Sequence, residues 1–329
     1  MKILIIGGAG FIGLNLASEL AKKDTNKITI CDNFFRGKND ESFQSLLANG
    51  VSFIEADLTV LSNFSKLDKD YDHVYMLASI VGVGYTYDIP DKIIKTNTLL
   101  ILNVLDWLKT SDCKRVLFTS TSECYAGSID HFGYQVPTPE SVPLCIEDIK
   151  NPRFTYAATK LLGESAFLQY GRAYSFESVI VRYHNVYGPR MGFKHVIPQV
   201  SKRLFDNENP FLVYGHNQTR SFNYISDAVN GTILAMNSNK TDQEIIHIGD
   251  MRSEISIIEL VKYVSNLMGK DPEFKPVDAP KGSVARRCPD TSLAKKLTGY
   301  EPKINWQDGV QRTVNWYHDF YKTGSDLFE

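Results

Sequence analysis

Cysteine is scarce in this 329-residue chain: Cys31, Cys113, Cys124, Cys145 and Cys288 form no C-x-x-C pair and no metal-ligand spacing. An odd count without a motif argues against a disulfide framework or a zinc module. No metal is therefore assigned, and a reducing compartment, the cytoplasm, is expected. Long basic runs are also missing and the formal net charge is −2, so the electrostatic footprint of a nucleic-acid binder is absent and nucleic acid is not an expected partner. Nowhere do ~18 uncharged apolar residues follow one another, the length a membrane span requires, so no membrane partner is expected. The start, Lys2 followed by Ile3 to Ala17, superficially resembles a secretory signal, but spaced glycines interrupt it. Repeats and low-complexity tracts are missing too. What remains is a composition of 43% hydrophobic and 22% charged residues, which is that of a globular chain with a generous core, long enough for two lobes.

Short β-branched runs alternate with helical patterns through the first half. Strands are expected at Ile3 to Ile6, Ile28 to Asp32, Val51 to Asp57, His73 to Ala78, Arg115 to Ser120 and Ser178 to Arg182, and longer helices at Ile93 to Trp107 and Tyr156 to Tyr170. This rhythm predicts an α/β fold with a doubly wound parallel sheet. After about Val186, loops rich in Gly, Pro and Asn, such as Asn207 to Pro210 and Asp271 to Pro280, separate shorter elements, and a smaller α/β lobe begins. Phe222 to Met236 again reads as sheet-side structure. The expected division is residues 1–180 plus about 217–246 in a Rossmann-type dinucleotide domain, and about 181–216 plus 247–329 in a substrate-binding lobe.

Gly7, Gly10 and Gly13 form G-x-x-G-x-x-G directly after an apolar strand and directly before an amphipathic helix. Such glycines allow a tight turn and close approach of backbone to a pyrophosphate, which the helix N-terminus then attracts. Asp32 ends the second strand at the separation expected of an acid that bonds the adenosine ribose. Its charge repels a 2′-phosphate, so NAD is expected over NADP. Arg36, close behind, is the residue that speaks for NADP.

Tyr156 and Lys160 stand at i and i+4, hence on one helix face, with Ser120, Thr121 and Ser122 at the end of a preceding parallel strand, where such sheets place ligands. A tyrosine with pKa near ~10 is a poor base at neutral pH, but an adjacent ammonium and a cationic nicotinamide favour the phenolate. Tyr156 then deprotonates a sugar hydroxyl, Lys160 holds the nicotinamide ribose, and the Thr121 hydroxyl bridges Tyr156 to the substrate oxygen. Taken alone, Y-x-x-x-K also arises by chance on amphipathic helices.

With these residues in view, the chain resembles the extended short-chain dehydrogenase/reductase family of nucleotide-sugar epimerases, dehydratases and decarboxylases. The likeness runs through Gly7-Gly8-Ala9-Gly10-Phe11-Ile12-Gly13, Asp57-Leu58, Thr121 to Tyr125, Tyr156-Ala157-Ala158-Thr159-Lys160, and Arg182 with Asn185-Val186-Tyr187-Gly188-Pro189. By this resemblance Phe11, Ile12, Asn33, Ala78 and Ser120 join the cofactor site, Asp57 and Leu58 flank the adenine, and Asn185 touches the diphosphate of a nucleotide-diphosphate sugar. Two departures are His184, where the family usually has phenylalanine, and Ser79, which interrupts an alanine pair. Thr121-Ser122-Glu123 resembles the Thr-Ser-Glu of decarboxylases and 4,6-dehydratases, in which the glutamate works near C5 of the sugar. The segments containing Arg220 and Arg287 resemble UDP-glucuronate decarboxylases, and arginine's planar fork suits phosphate or carboxylate. Tyr156-Ala157-Ala158, however, looks more like epimerases and dehydratases. The resemblance thus implies C4 oxidation followed by C5 chemistry at Glu123, decarboxylation or dehydration. A 4-epimerase and a non-catalytic NAD-binding regulator stand as alternatives, and an NADP-preferring hydroxysteroid or flavonol-type reductase is disfavoured by Asp32, Arg220 and Arg287. The family usually forms dimers through two helices per subunit, so a homodimer is expected, with Ile94, Leu99, Leu102, Leu105, Phe167 and Leu168 furnishing the contact.

Overall fold

A computed structural model describes residues 1–125, 127–279 and 282–323. The chain opens with β1 (Lys2–Ile6), α1 (Phe11–Ala21), β2 (Lys27–Asp32), α2 (Glu41–Ala48), β3 (Ser52–Glu55), β4 (His73–Met76), α3 (Val83–Asp88), α4 (Pro90–Leu108) and β5 (Arg115–Thr121). It continues with α5 (Ser128–Phe132), α6 (Thr155–Tyr174), β6 (Glu177–Tyr183), β7 (Val186–Tyr187), α7 (Val196–Phe205), β8 (Phe211–Tyr214), β9 (Thr219–Ser221), β10 (Asn223–Tyr224) and α8 (Ile225–Asn237). Last come β11 (Ile245–Ile248), β12 (Glu254–Ser256), α9 (Ile257–Leu267), β13 (Phe274–Val277), β14 (Arg286–Arg287), α10 (Ser292–Thr298) and α11 (Trp306–Lys322).

Seven strands make one sheet in the order β11-β6-β5-β4-β1-β2-β3, every pair parallel. The order reverses between β1 and β4, so a crevice opens at their carboxyl ends, where doubly wound sheets take ligands. Side-chain alternation in the strands builds the two layers. Ile3 and Ile5 of β1 pack with Leu16 and Ala17 of α1 and Ala228 of α8, whereas Leu4 and Ile6 pack with Val104 and Leu105 of α4 and Phe167 of α6. Each of the larger side chains among them, buried on a sheet covered on both faces, contributes about 1.5–3 kcal/mol.

Several expected boundaries move. The fourth strand stops at Met76 rather than Ala78, because Leu77 and Ala78 both turn their N–H groups onto the Ile6 carbonyl. The third is shorter than Val51 to Asp57, while the helices gain residues at both ends, α4 beginning on a proline at a position that needs no donor. Asp271 to Pro280, read as a loop, carries β13, which pairs in parallel with β8. Phe222 to Met236 becomes β10 and α8, and α8 packs beside α1 and β6. A strand absent from the sequence reading, β11, completes the large sheet. The expected dimer residues divide: Leu105 and Phe167 are fully buried in the subunit's own core, while Ile94 and Leu102 are exposed on α4.

Past the large sheet, β9 pairs with β12 and β14 in a three-stranded sheet. The register of β14 on β9 sets Arg287 beside Arg220.

Candidate active site

A cleft of about 520 Å3 lies at the carboxyl ends of the strands. Its described lining holds eight lysine and arginine side chains against a single carboxylate, that of Glu123. For a chain of net charge −2, this is a local concentration of positive charge, and it fits ligands with several anionic groups.

At one end stands the glycine turn. A Cβ on Gly13 would lie 2.4 Å from the Gly7 carbonyl oxygen, and one on Gly7 (φ +85°) 2.6 Å from the Ala78 nitrogen. Only glycine closes this turn, and the cradle it leaves admits a pyrophosphate at the N-terminus of α1, where Gly10 caps the helix without any side-chain acceptor. Gly7, Gly10, Phe11, Ile12, Gly13, Ser120, Tyr156 and Lys160 all line the cleft. Asp32, Asn33, Asp57, Leu58 and Ala78 are not part of that lining. The Asp32 carboxylate accepts from the Ala9 N–H at 3.0 Å and the Phe34 N–H at 2.8 Å. Burial pushes its pKa up, and those donors oppose the shift. Asp57 sits at the adjoining strand end and accepts from the backbone and hydroxyl of Thr59, and Asn33 accepts from Phe35 N–H. Arg36 lines the cleft, within electrostatic reach of Tyr85 and Tyr156.

Tyr156, Lys160 and Thr121 come together on the cleft lining, with a different electrostatic balance from that expected. Tyr156 and Lys160 are buried on one face of α6. The Lys160 ammonium donates to the Thr119 carbonyl at 2.8 Å and stands 5.8 Å from the Tyr156 ring centre. Burial draws its pKa down to about 8. The Tyr156 phenol is pushed up by burial, then by Cys124 and Glu123, while Arg36 and the Thr121 hydroxyl pull it down. In the protein alone, then, tyrosine is held protonated, and the expected help from the lysine is not among the opposing influences. A cationic group bound beside the ring would favour the phenolate. Ser120 lines the cleft, but its hydroxyl donates to Glu164 of α6 and so ties β5 to that helix.

Glu123, in the turn after β5, is the centre of an arginine cluster. Its Oε1 meets Arg287 Nη1 at 2.6 Å and its Oε2 lies 3.8 Å from Arg153 Nη2. Burial alone would raise its pKa, but the charge and hydrogen bond of Arg287, then Arg153 and Arg220, outweigh it and hold the carboxyl below its ordinary value. Arg287 itself is buried, and its Nε and Nη2 have no partner among the described residues. Arg220 donates to the Thr219 carbonyl and to Gln218. Asn185, in a left-handed conformation at φ +36°, lines the cleft with its amide donating to the Ser221 carbonyl. Sequence reasoning missed Arg153, Tyr85 and Lys194. Arg153 carried no signal because its relation to Glu123 arises only when the turn before α6 meets the end of β5.

Residues 3–249 match the model of the NAD dependent epimerase/dehydratase family. Over 328 residues, 97% of this chain and 98% of the relative, the sequence is 32% identical to UDP-N-acetyl-alpha-D-glucosaminuronate decarboxylase of Bacillus cytotoxicus. UDP-glucuronic acid decarboxylase 3 of Arabidopsis thaliana is 34% identical over 94% of this chain and 87% of its own. Among solved structures, UDP-glucuronic acid 4-epimerase of Bacillus cereus, in complex with UDP-glucuronic acid and NAD, superposes with a TM-score of 0.86 at 27% identity, covering 98% of this chain and 100% of the other. With its glycine cradle, its Tyr156 and Lys160 and these matches across nearly its whole length, the chain belongs to the NAD dependent epimerase/dehydratase family, and its cofactor is NAD.

Proposed function

We propose that this enzyme decarboxylates a nucleotide-diphosphate hexuronate, of the UDP-glucuronate or UDP-N-acetylglucosaminuronate class. The observation that carries the reading is Arg287: a buried guanidinium, tethered to Glu123 by one nitrogen, with two further nitrogens that have no partner among the described residues. A fork of this kind matches a carboxylate. On a hexuronate that carboxylate hangs from C5, next to the carbon that Tyr156 addresses. Residues 1–180 with about 217–246 would carry the cofactor, and about 181–216 with 247–329 the nucleotide sugar.

Bound NAD supplies an acceptor, and later a donor, for the C4 hydride. Tyr156 takes the proton of the C4 hydroxyl and returns it at the end, with Thr121 orienting the substrate oxygen. Lys160 holds the nicotinamide ribose. Asn185 and Arg220 bind the diphosphate of the sugar nucleotide. A ketone at C4 makes the C5 carboxylate part of a β-keto acid, so the bond to that carboxyl carbon breaks, carbon dioxide leaves, and the electron pair passes into an enolate that is protonated at C5. Glu123 is ionised and therefore accepts rather than donates a proton at rest; it keeps the Arg287 fork in register and orients the water that supplies the C5 proton.

Mass spectrometry of products after incubation with NAD and a panel of nucleotide sugars tests the reading. Loss of carbon dioxide from a uronate is expected. A second reading, a 4-epimerase acting on a uronate, is favoured by Tyr156-Ala157-Ala158 and by the Bacillus cereus relative; it predicts unchanged mass with inverted C4. Loss of water would indicate a dehydratase.

A further inference from the structure

A basic residue shortly after the acid of β2 is where a Rossmann-type fold reads a 2′-phosphate. Arg36 stands there in sequence but not in space. Gly37, behind it, is pressed against the glycine turn: a Cβ there would be 2.6 Å from the Ala9 Cβ. The loop therefore packs on the glycine turn at Ala9, and the neighbouring Arg36 lines the cleft. One guanidinium nitrogen comes within 3.0 Å of where a Cβ of Gly192 would stand, and the head faces Tyr85 and Tyr156. Tyr85 is in turn flanked by the Phe35 ring, with centres 6.3 Å apart, and by the Lys194 ammonium at 4.6 Å.

Among the described residues no carboxylate pairs with Arg36, and burial lowers its pKa. Nearby His195 adds no second charge: burial, and then Arg36 itself, hold its pKa near 4, so it is neutral. Arg36 is half-buried, and a cation partly withdrawn from water without a counter-ion carries a cost that a ligand of opposite charge offsets.

We infer that Arg36 is a diphosphate ligand, which grips the pyrophosphate of the dinucleotide from the side opposite the glycine turn. A planar fork takes two phosphate oxygens at once. The cofactor's diphosphate is the one assigned to it, because the loop that carries Arg36 packs at Gly37 against Ala9 of the turn that cradles that diphosphate. The ribose end is held separately by Asp32, which is pinned by the Ala9 and Phe34 N–H groups. The inference rests on the assignment of NAD and not on the reaction proposed above.

Titration of the full chain with NADH and NADPH by fluorescence, and with UDP by calorimetry, tests it in wild type, Arg36→Gln and Arg36→Lys. The expected result is at least a tenfold weakening of NADH in Arg36→Gln, an equal proportional loss for NADPH, unchanged UDP binding, and partial recovery in Arg36→Lys. Loss confined to NADPH would make Arg36 a 2′-phosphate reader, and loss confined to UDP would assign it to the substrate's diphosphate; either overturns the inference, as does an unchanged NADH affinity. Wild-type protein that bound no dinucleotide would instead overturn the cofactor assignment. Matching thermal unfolding of the three proteins separates binding from folding.

Discussion

Arg287 Nη1 and Glu123 Oε1 lie 2.6 Å apart although 164 residues separate them in sequence. This pair joins the turn after β5 to the strand that lies against β9, and it brings a carboxylate and a partly unpaired guanidinium to the same side of the cleft as Tyr156.

Replacing Glu123 with Gln keeps size and hydrogen-bonding shape while removing charge. Binding of the nucleotide sugar and reduction of bound NAD should survive; release of the decarboxylated product should not. Enzyme-bound NADH, followed by its absorbance, is expected to accumulate with a 4-keto sugar. Turnover at the wild-type rate would favour the 4-epimerase, in which hydride return to C4 needs no Glu123 carboxylate.

Arg287→Met should lower kcat/KM for a uronate by ~100-fold or more, since a charge-assisted fork for the substrate carboxylate is lost and Glu123 keeps only Arg153 and Arg220 as counter-charges. Its effect on the corresponding neutral hexose nucleotide should be much smaller. The pH profile carries a second signature. Arg287 is the largest of the influences that hold the Glu123 pKa down, so without it the pKa rises. The carboxylate then exists only at higher pH, and the acid limb of kcat/KM moves upward; an unmoved limb would mean that Glu123 does not act as a carboxylate.

Tyr156→Phe should fold normally and lose C4 oxidation by at least ~100-fold, the usual scale of acid–base assistance. Rapid-mixing measurement of NADH formation reads this directly, and undiminished formation would require another base.

Assembly can be tested on α4. Leu102 and Ile94 are exposed, whereas Leu105 is fully buried. If two subunits meet there, sedimentation of wild type will give a dimer, and Leu102→Glu will give a monomer of nearly unchanged thermal stability. Leu105→Ala, by contrast, should destabilise the subunit itself by about 2–5 kcal/mol. A wild-type monomer at every concentration would exclude the dimer.

The parallel sheet, the glycine turn and the Tyr156–Lys160 face could all be read from sequence, because each rests on local regularities: period-two and period-3.6 patterning, backbone conformations that glycine permits, and i,i+4 spacing on one helix. Asp32 was legible for the same reason, its distance from Gly7 being set by one strand–helix–strand unit. The family resemblance singled out Glu123, Arg220 and Arg287 one at a time. Only tertiary structure decided that Arg287 stands beside Arg220 through the β14–β9 register, that Arg153 and Arg287 hold Glu123 ionised, and that Arg36 lines the same cleft as Tyr156. These outcomes depend on long-range pairing, and on a sum of desolvation and charge in which each group's protonation is set by neighbours distant in the chain. Local pattern carries no record of that sum.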